Sequence, residues 1–211
     1  MSTSKPEDEL EKFTTRTFRH DSLNGGTVQI PKPLPPSIQK VFMKGKAFHI
    51  SELDEYLRAI PGYQGSFFLQ DLKNVHAPTE PGIWGIVILL PPPTPSGKDI
   101  GHFVAMVFDT KDYWEVDFFD SFGRTPTELG VEKEIESFVD NWILKRRPPV
   151  LLKWKINTLK KQDYDEKRCG AYVVQFLIDR LMNKKTFKQA TGFSKQKVLT
   201  TEKDINKFTE L

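Results

Sequence analysis

The chain has 211 residues and a formal net charge of +3; 38% of the residues are hydrophobic, 12% aromatic and 28% charged. This composition is typical of a globular protein with one domain of ordinary size and a modest extension, and it excludes a disordered or fibrous chain. The single cysteine excludes an internal disulfide framework and a cysteine-rich zinc site, and it favours a reducing compartment.

We expect no membrane partner for this chain. Its longest apolar run, Ile83 to Leu90, is much shorter than the roughly 20 residues that cross a bilayer. The first residues also lack the apolar region of a signal peptide. We therefore expect a cytosolic or nuclear protein, or one carried inside a particle.

Positive charge is concentrated in one part of the chain. Residues 145–197 contain 15 Lys and Arg against 4 Asp and Glu, whereas the remainder contains 16 basic and 24 acidic residues. Pairs such as Lys160-Lys161 and Lys184-Lys185 are typical of surfaces that bind nucleic acid, because neutralising phosphates releases counterions. The basic C-terminal half therefore predicts DNA binding, with a solvated lysine-rich surface as the alternative.

Residues 1–45 are predicted to be an N-terminal arm, extended or partly disordered. They combine an acidic start, the pair Gly25-Gly26 and the proline-rich stretch Pro31 to Pro36, which do not suit a core element. The folded domain is predicted to span residues 46–211.

The first predicted elements are a helix and three strands. Ser51 to Ile60 has an N-cap serine and apolar residues at helical spacing. Ile83 to Leu90 and His102 to Phe108 are apolar on both faces, which indicates central strands, and Tyr113 to Asp120 is predicted to be a third strand.

The second half of the chain adds helices and one more strand. Glu128 to Leu144 has helical periodicity, Leu151 to Ile156 alternates as a strand, and an apolar helix is predicted from Cys169 to about Met182. Thr201 to Phe208 is predicted to be a short last helix. The order indicates an α+β fold with a central mixed β-sheet flanked by helices.

Cys169 stands where a polar loop turns into an apolar helix. A thiol at a helix N-terminus lies at the positive end of the macrodipole, which favours the nucleophilic thiolate. The alternative is a small buried core residue, since free cysteine is often buried.

A thiolate nucleophile needs a base, a group that orients the base, and donors for the developing oxyanion. His102, at the start of a central strand, is the best placed of the four histidines, although a structural histidine at a strand end is the alternative. Asp120 shares strand parity with Val116 and Phe118, whereas Asp117 points the other way, so Asp120 is the candidate orienting acid. The alternative for Asp120 is a turn-forming aspartate.

Gln162 precedes Cys169 by seven residues. Its side-chain amide is a candidate oxyanion donor together with the Cys169 backbone N–H.

Three spaced motifs together resemble the adenain-like cysteine proteases, the family of the adenovirus maturation protease. They are Gly101-His102-Phe103, Phe119-Asp120-Ser121-Phe122-Gly123, and Gln162 followed by Cys169-Gly170. The order His, acid, Gln, Cys is that of the clan, which also includes SUMO- and NEDD8-specific proteases. The likeness covers roughly residues 46 to 182.

The resemblance implies an adenain-like fold and a thiol endopeptidase in which Cys169 attacks, His102 acts as base and then acid, and Asp120 orients His102. Gln162 and the Cys169 amide would bind the oxyanion. Its substrates would be viral capsid or core precursor polypeptides cut at Gly-Gly-type sites during virion maturation, in the virion and the infected host cell, in cytoplasm or nucleus. No cofactor is required, and stimulation by DNA is compatible with the basic half.

The chain departs from the family pattern at two residues and in the lack of a second cysteine. Phe103 stands where the clan usually has Trp, and Asp120 stands where adenain has Glu. The family's activating peptide forms a disulfide with a second cysteine, which this chain lacks, so no disulfide-linked activator is expected.

Other functions remain open at the level of sequence. Within the clan, a deSUMOylase or deubiquitinase-like isopeptidase or an acetyltransferase would use the same residues. Outside it, a noncatalytic nucleic-acid-binding virion protein would not. Self-cleavage after Gly26 is a further hypothesis, with an ordinary glycine turn as the alternative.

Overall fold

One mixed five-stranded sheet organises the computed structural model, which describes residues 48–76, 78, 80–92, 101–111, 114–144, 152–162 and 168–192. The strands lie in chain order: β1 (Tyr63–Phe68), β2 (Ile83–Leu90), β3 (His102–Asp109), β4 (Glu115–Phe119) and β5 (Lys153–Ile156). The β1–β2 and β4–β5 pairs are parallel, and the two pairs between them are antiparallel. The predicted arm 1–45 and the predicted last helix lie outside the described residues.

Helices cover both faces of this sheet, which confirms the predicted α+β class with a mixed sheet. They are α1 (Ile50–Leu57), α2 (Glu132–Leu144), α3 (Cys169–Leu177) and α4 (Phe187–Thr191), with a 3-10 helix at Leu69–Asn74. A π-helical turn, Ile178–Met182, continues α3. The sequence predicts this stretch as one helix, so the change of winding is a finding of the structure.

The two central strands contribute to a separate core on each face. Successive side chains of a strand point to opposite faces, and β3 divides accordingly. Phe103, Ala105 and Val107 join the core beneath α1, α3 and α4, whereas Val104, Met106 and Phe108 join the core beneath α2. This is why the apolar runs of β2 and β3 have no polar face.

Helix boundaries differ from the predicted ones for local reasons. His49, not Ser51, is the N-cap of α1: its side chain accepts the Ser51 backbone N–H, and Glu52 completes a capping box. The second helix begins at Glu132 instead of Glu128, because residues up to Gly130 form turns and Gly130 has φ of +70°.

Strand β1, helix α4 and the 3-10 helix at Leu69–Asn74 were not predicted from the sequence. Strand β1 contains Gly65 and polar residues that hide its strand pattern. Helix α4 does carry a signal: Thr186 and Gln189 form a capping box, and Gly192 ends the helix in the left-handed conformation.

Candidate active site

The candidate site lies at one end of the strands, where several of them begin or end. His102 is the first residue of β3, and Asp120 follows the last residue of the antiparallel neighbour β4. Continuing the register places Asp120 opposite Val104, and diagonal neighbours on one face of a sheet are within reach of long side chains. The sheet itself therefore brings this histidine and this carboxylate together.

His102 lies between its two predicted partners in its interactions. Its Nε2 pairs with Asp120 Oδ1, and the Cys169 side chain also favours the protonated ring. Burial disfavours the imidazolium, but the hydrogen bonds to Asp120 and Cys169 and the charges of these groups outweigh it and raise the pKa of His102 to about 9.

Asp120 is fully buried and its carboxylate accepts from several donors. Besides His102, Oδ1 accepts the Phe122 backbone N–H at 3.2 Å, and Oδ2 accepts the Arg124 backbone N–H at 3.1 Å and Arg124 Nε at 2.8 Å. Burial alone would raise the pKa of this carboxyl. The bonds and charges of His102 and Arg124 lower it below its ordinary value, so the group is held as an anion.

Gln162 is tied to the residue that follows Asp120. Ser121 Oγ donates to Gln162 Oε1 at 2.6 Å, and the Gln162 backbone N–H donates to the Ser121 carbonyl at 3.0 Å. Gln162 is 1% exposed and Ser121 is fully buried. Because Oε1 is the accepting end of this bond, the amide orientation is fixed with Nε2 as its donating end.

Cys169 is the first residue of α3 and is partly buried. The next residue, Gly170, faces the ring of Phe48, and a Cβ at Gly170 would come within 2.7 Å of Phe48 Cδ2. Phe48 is itself 3% exposed and packs edge-on against Tyr56. The glycine after the cysteine is therefore required by close packing, which fixes the first turn of α3 against α1.

The sequence reasoning missed Asn157, which holds the Asp120 backbone. Asp120 N–H donates to Asn157 Oδ1 and Asn157 Nδ2 donates to the Asp120 carbonyl, each at 2.8 Å, and Asn157 is fully buried. Asn157 directly follows β5, Asp120 directly follows β4, and these two strands are parallel. The sequence signal for Asn157 was a polar residue after each of two parallel strands, because the C-terminal ends of such strands lie side by side.

The sequence reasoning also missed Phe122 and Arg124. The Phe122 ring lies 5.1 Å from the His102 ring, centroid to centroid, and Arg124 Cζ lies 4.8 Å from the Phe122 centroid. These residues therefore surround the bonded pair of His102 and Asp120. No local sequence pattern signals this role.

Much of the described positive charge of the basic half is used inside the fold. Three of its cations form ion pairs that join separate elements: Lys155 with Glu115, Arg180 with Asp117, and Lys185 with Asp179. Burial lowers the pKa of Lys161 to about 8, and its Nζ donates to the Ala190 carbonyl at 3.1 Å. Lys160, Lys184 and Lys188 are exposed, so a DNA-binding surface would rest on fewer described cations than the sequence count indicates.

The described residues contain neither a metal-binding cluster nor a membrane-spanning helix. No group of three or more His, Cys, Asp and Glu side chains in these ranges is arranged to hold a metal ion. No helix within them has the length and apolar character to traverse a bilayer.

No protein-family model and no curated protein sequence matches this chain.

Proposed function

We propose that this protein is a cysteine endopeptidase with Cys169 as its nucleophile. The observation that supports the proposal best is the bond of His102 to the fully buried Asp120, together with the influence of Cys169 on the protonated His102 ring. A nucleophile, a base and an oriented acid within bonding reach are what thiol-dependent acyl transfer needs.

In the acylation step, the Cys169 thiolate attacks the carbonyl carbon of a peptide bond while the proton resides on His102. A raised His102 pKa supports this distribution of the proton near neutral pH. The carbonyl oxygen becomes an oxyanion that accepts from the Gln162 amide and the Cys169 backbone N–H. His102 then protonates the leaving nitrogen, the C–N bond breaks, and a thioester remains on Cys169.

In the deacylation step, neutral His102 removes a proton from water, which attacks the thioester carbonyl. The thiolate leaves, the acid product departs and His102 is again protonated. Asp120 keeps the imidazole oriented in both steps, and Ser121 keeps the Gln162 amide oriented.

The substrate class we propose comes from the resemblance to adenain-like proteases and not from the geometry. It consists of viral capsid or core precursor polypeptides with Gly-Gly-type sites, cut during virion maturation in the particle and the infected cell. DNA bound by the basic half is proposed as a stimulator. Cleavage by this adenain-like enzyme would need no metal and no disulfide-linked peptide. The second candidate is isopeptidase activity on a ubiquitin-like protein, which the same site residues would support.

Alkylation of the thiol tests the site without any knowledge of substrate. Since the chain has one cysteine, iodoacetamide labelling reports on Cys169 alone. We expect His102→Gln to slow labelling at pH 6, because the proposed mechanism needs the imidazole to accept the thiol proton. His76→Gln, which changes an exposed histidine, should leave labelling unchanged. Equal labelling rates in His102→Gln and the unaltered protein would overturn the proposed pair.

Peptide cleavage then tests the activity. A quenched fluorescent peptide with the sequence Ser22 to Val28 should be cut after Gly26, faster with DNA present, and Cys169→Ala should abolish cutting. Reactive Cys169 with no peptide cleavage, but with release of ubiquitin-like proteins from conjugates, would favour the isopeptidase candidate.

A further inference from the structure

The two oxygens of Asp120 serve two different cations. Oδ1 bonds to His102, whereas Oδ2 bonds to the side chain and the backbone of Arg124. Asp120 is fully buried and the Arg124 side chain is 37% exposed, so the arginine connects a buried carboxylate to the surface. One negative charge is thus shared between a permanent cation and a titrating one.

A tight turn brings Arg124 back to the carboxylate. Gly123 N–H donates to the Asp120 carbonyl at 2.9 Å, and Gly123 has φ of +72°. A Cβ at this position would lie 2.8 Å from the backbone of Leu159 and Lys160, so both conformation and space require glycine. The turn therefore places the guanidinium on the side of Asp120 away from His102.

The position of Asp120 does not depend on the Arg124 side chain. Asn157 holds both backbone groups of Asp120, and the backbone N–H groups of Phe122 and Arg124 hold its two oxygens. Loss of the guanidinium therefore removes a charge and one hydrogen bond while the carboxylate stays where it is.

We propose that Arg124 acts through Asp120 to set how tightly His102 holds its proton. Only the effect of this role on catalysis rests on the proposed function. The charges that act on His102 are those of Asp120, from the end of β4, and Cys169, from the start of α3. Both favour the imidazolium. Arg124 opposes them, because it neutralises part of the Asp120 charge.

This opposition matters for proton transfer. An imidazolium held too tightly by Asp120 and Cys169 is a poor acid towards the leaving amine, and efficient general acids titrate near the working pH. Arg124 is therefore a positioning residue that keeps His102 able to give up its proton, and it does not touch the substrate.

Titration of the His102 imidazole by NMR tests the inference, in a Cys169→Ala background that removes the thiol and all activity. We expect Arg124→Gln, which keeps an uncharged donor, to make His102 bind its proton about threefold more tightly, a modest factor because the guanidinium is partly screened by solvent. Arg124→Lys keeps the charge and should change His102 less. The His102 resonance is assigned from its absence in His102→Gln.

The chain offers a matched control in Arg58→Gln. Arg58 and Asp54 form an i,i+4 pair of the same kind, with 3.1 Å between Arg58 Nη2 and Asp54 Oδ2. This pair lies at the C-terminal end of α1, and its carboxylate has no bond to a histidine. This variant should leave the His102 titration unchanged. A second neutral variant, Arg124→Met, serves if Arg124→Gln does not fold.

An unchanged or weakened affinity of His102 for its proton in folded Arg124→Gln would overturn the inference. The outcome is independent of peptidase activity, so the proposed function can fail while the proton balance stands. If the peptidase activity is present, the alkaline limb of its pH profile should move upward in Arg124→Gln with Cys169 intact. A fixed limb would remove the proposed link to catalysis.

Discussion

Asp117 and Asp120 lie three residues apart, are both at most 1% exposed and both bond to an arginine, yet their surroundings differ. Asp117 Oδ2 accepts from Arg180 Nε at 2.6 Å, while its Oδ1 has no hydrogen-bond partner. Burial raises the pKa of Asp117 to about 6 in spite of Arg180. At Asp120, donors reach both oxygens and the pKa falls below its ordinary value.

The difference shows that burial and a bond to one arginine do not decide the charge of a carboxylate. At Asp120 the bonds and charges of His102 and Arg124 together outweigh burial, whereas at Asp117 burial outweighs Arg180. Asp117 faces the π-helical turn and joins it to β4, which is a structural task. Asp120 is held by backbone donors in a fixed orientation, which suits a group that must orient a base.

The largest effect we expect is on reactivity. Asp120→Asn should lower peptide cleavage by about 10²–10⁴-fold, because a neutral amide neither fixes the imidazole nor stabilises its protonated form. Asp117→Asn should leave cleavage per folded molecule within a few-fold of normal. The measurement is kcat/KM normalised to the folded fraction, and the reverse order would show that Asp117 is the orienting acid.

The second effect is on stability and separates the two arginines. Arg180→Met should lower the free energy of unfolding by about 3–5 kcal/mol, because it leaves the Asp117 charge buried without its partner. Arg124→Met should cost about 1 kcal/mol or less, since that side chain is partly exposed and Asp120 keeps its other donors.

Urea unfolding measures both losses. In the double variant Asp117→Leu/Arg180→Met, apolar side chains replace the buried pair, and most of the loss should be recovered. If the double variant stays as unstable as Arg180→Met, the ion pair itself stabilises the fold, and the loss in Arg180→Met is not only the cost of an unpaired Asp117 charge.

The third effect is a pH dependence of stability, in which His102 and Asp117 both lose their contributions as pH rises but over different ranges. Since the His102 pKa is raised to about 9 in the folded state, its contribution is complete below the unfolded value of 6.5 and is lost as pH rises through 9. The stability difference between the normal chain and Asp120→Asn should therefore shrink by up to about 3 kcal/mol between pH 6.5 and 9.

Asp117 should act over a different range. Its raised folded pKa means that its contribution is present below the unfolded value of 3.8 and is lost as pH rises through about 6. In Asp117→Asn the stability should no longer decrease with pH over this range. If the stability of Asp117→Asn still decreases as pH rises through this range, a different group takes up the proton on folding.

The smallest expected effect comes from the hydrogen bonds between Asn157 and the backbone of Asp120. Asn157→Ala leaves the buried Asp120 N–H without its partner and the Asp120 carbonyl with the Gly123 N–H alone, which should cost about 1–3 kcal/mol. Asp120 would then be less well oriented, so thiol labelling at pH 6 should slow. Asn141→Ala removes an exposed helical asparagine and is the control. Normal labelling in a destabilised Asn157→Ala protein would limit Asn157 to a structural role.

Sequence patterns are informative here where they are local. The apolar runs predict β2 and β3 closely, and strand parity separates the faces of Asp117 and Asp120, because side-chain alternation follows directly from strand geometry. The start of α3 at Cys169 is also visible in the sequence, as a change from polar to apolar residues.

The remaining contacts depend on non-local pairing or on a particular turn. Asn157 reaches Asp120 only because β5 pairs in parallel with β4, which no local pattern specifies. Arg124 reaches the carboxylate only because Gly123 takes a left-handed conformation. The π-helical turn that buries Asp179 and Arg180 has no sequence signal that distinguishes it from an α-helix.

The position of His102 on β3 has a consequence for dynamics. Strand β3 pairs with a neighbour on each side and supplies side chains to both cores, so it belongs to the part of the molecule that opens last. Amide hydrogens of residues 104–107 should exchange only by global unfolding. Partial unfolding that leaves β3 and β4 paired would therefore keep the backbones of His102 and Asp120 in place beside each other.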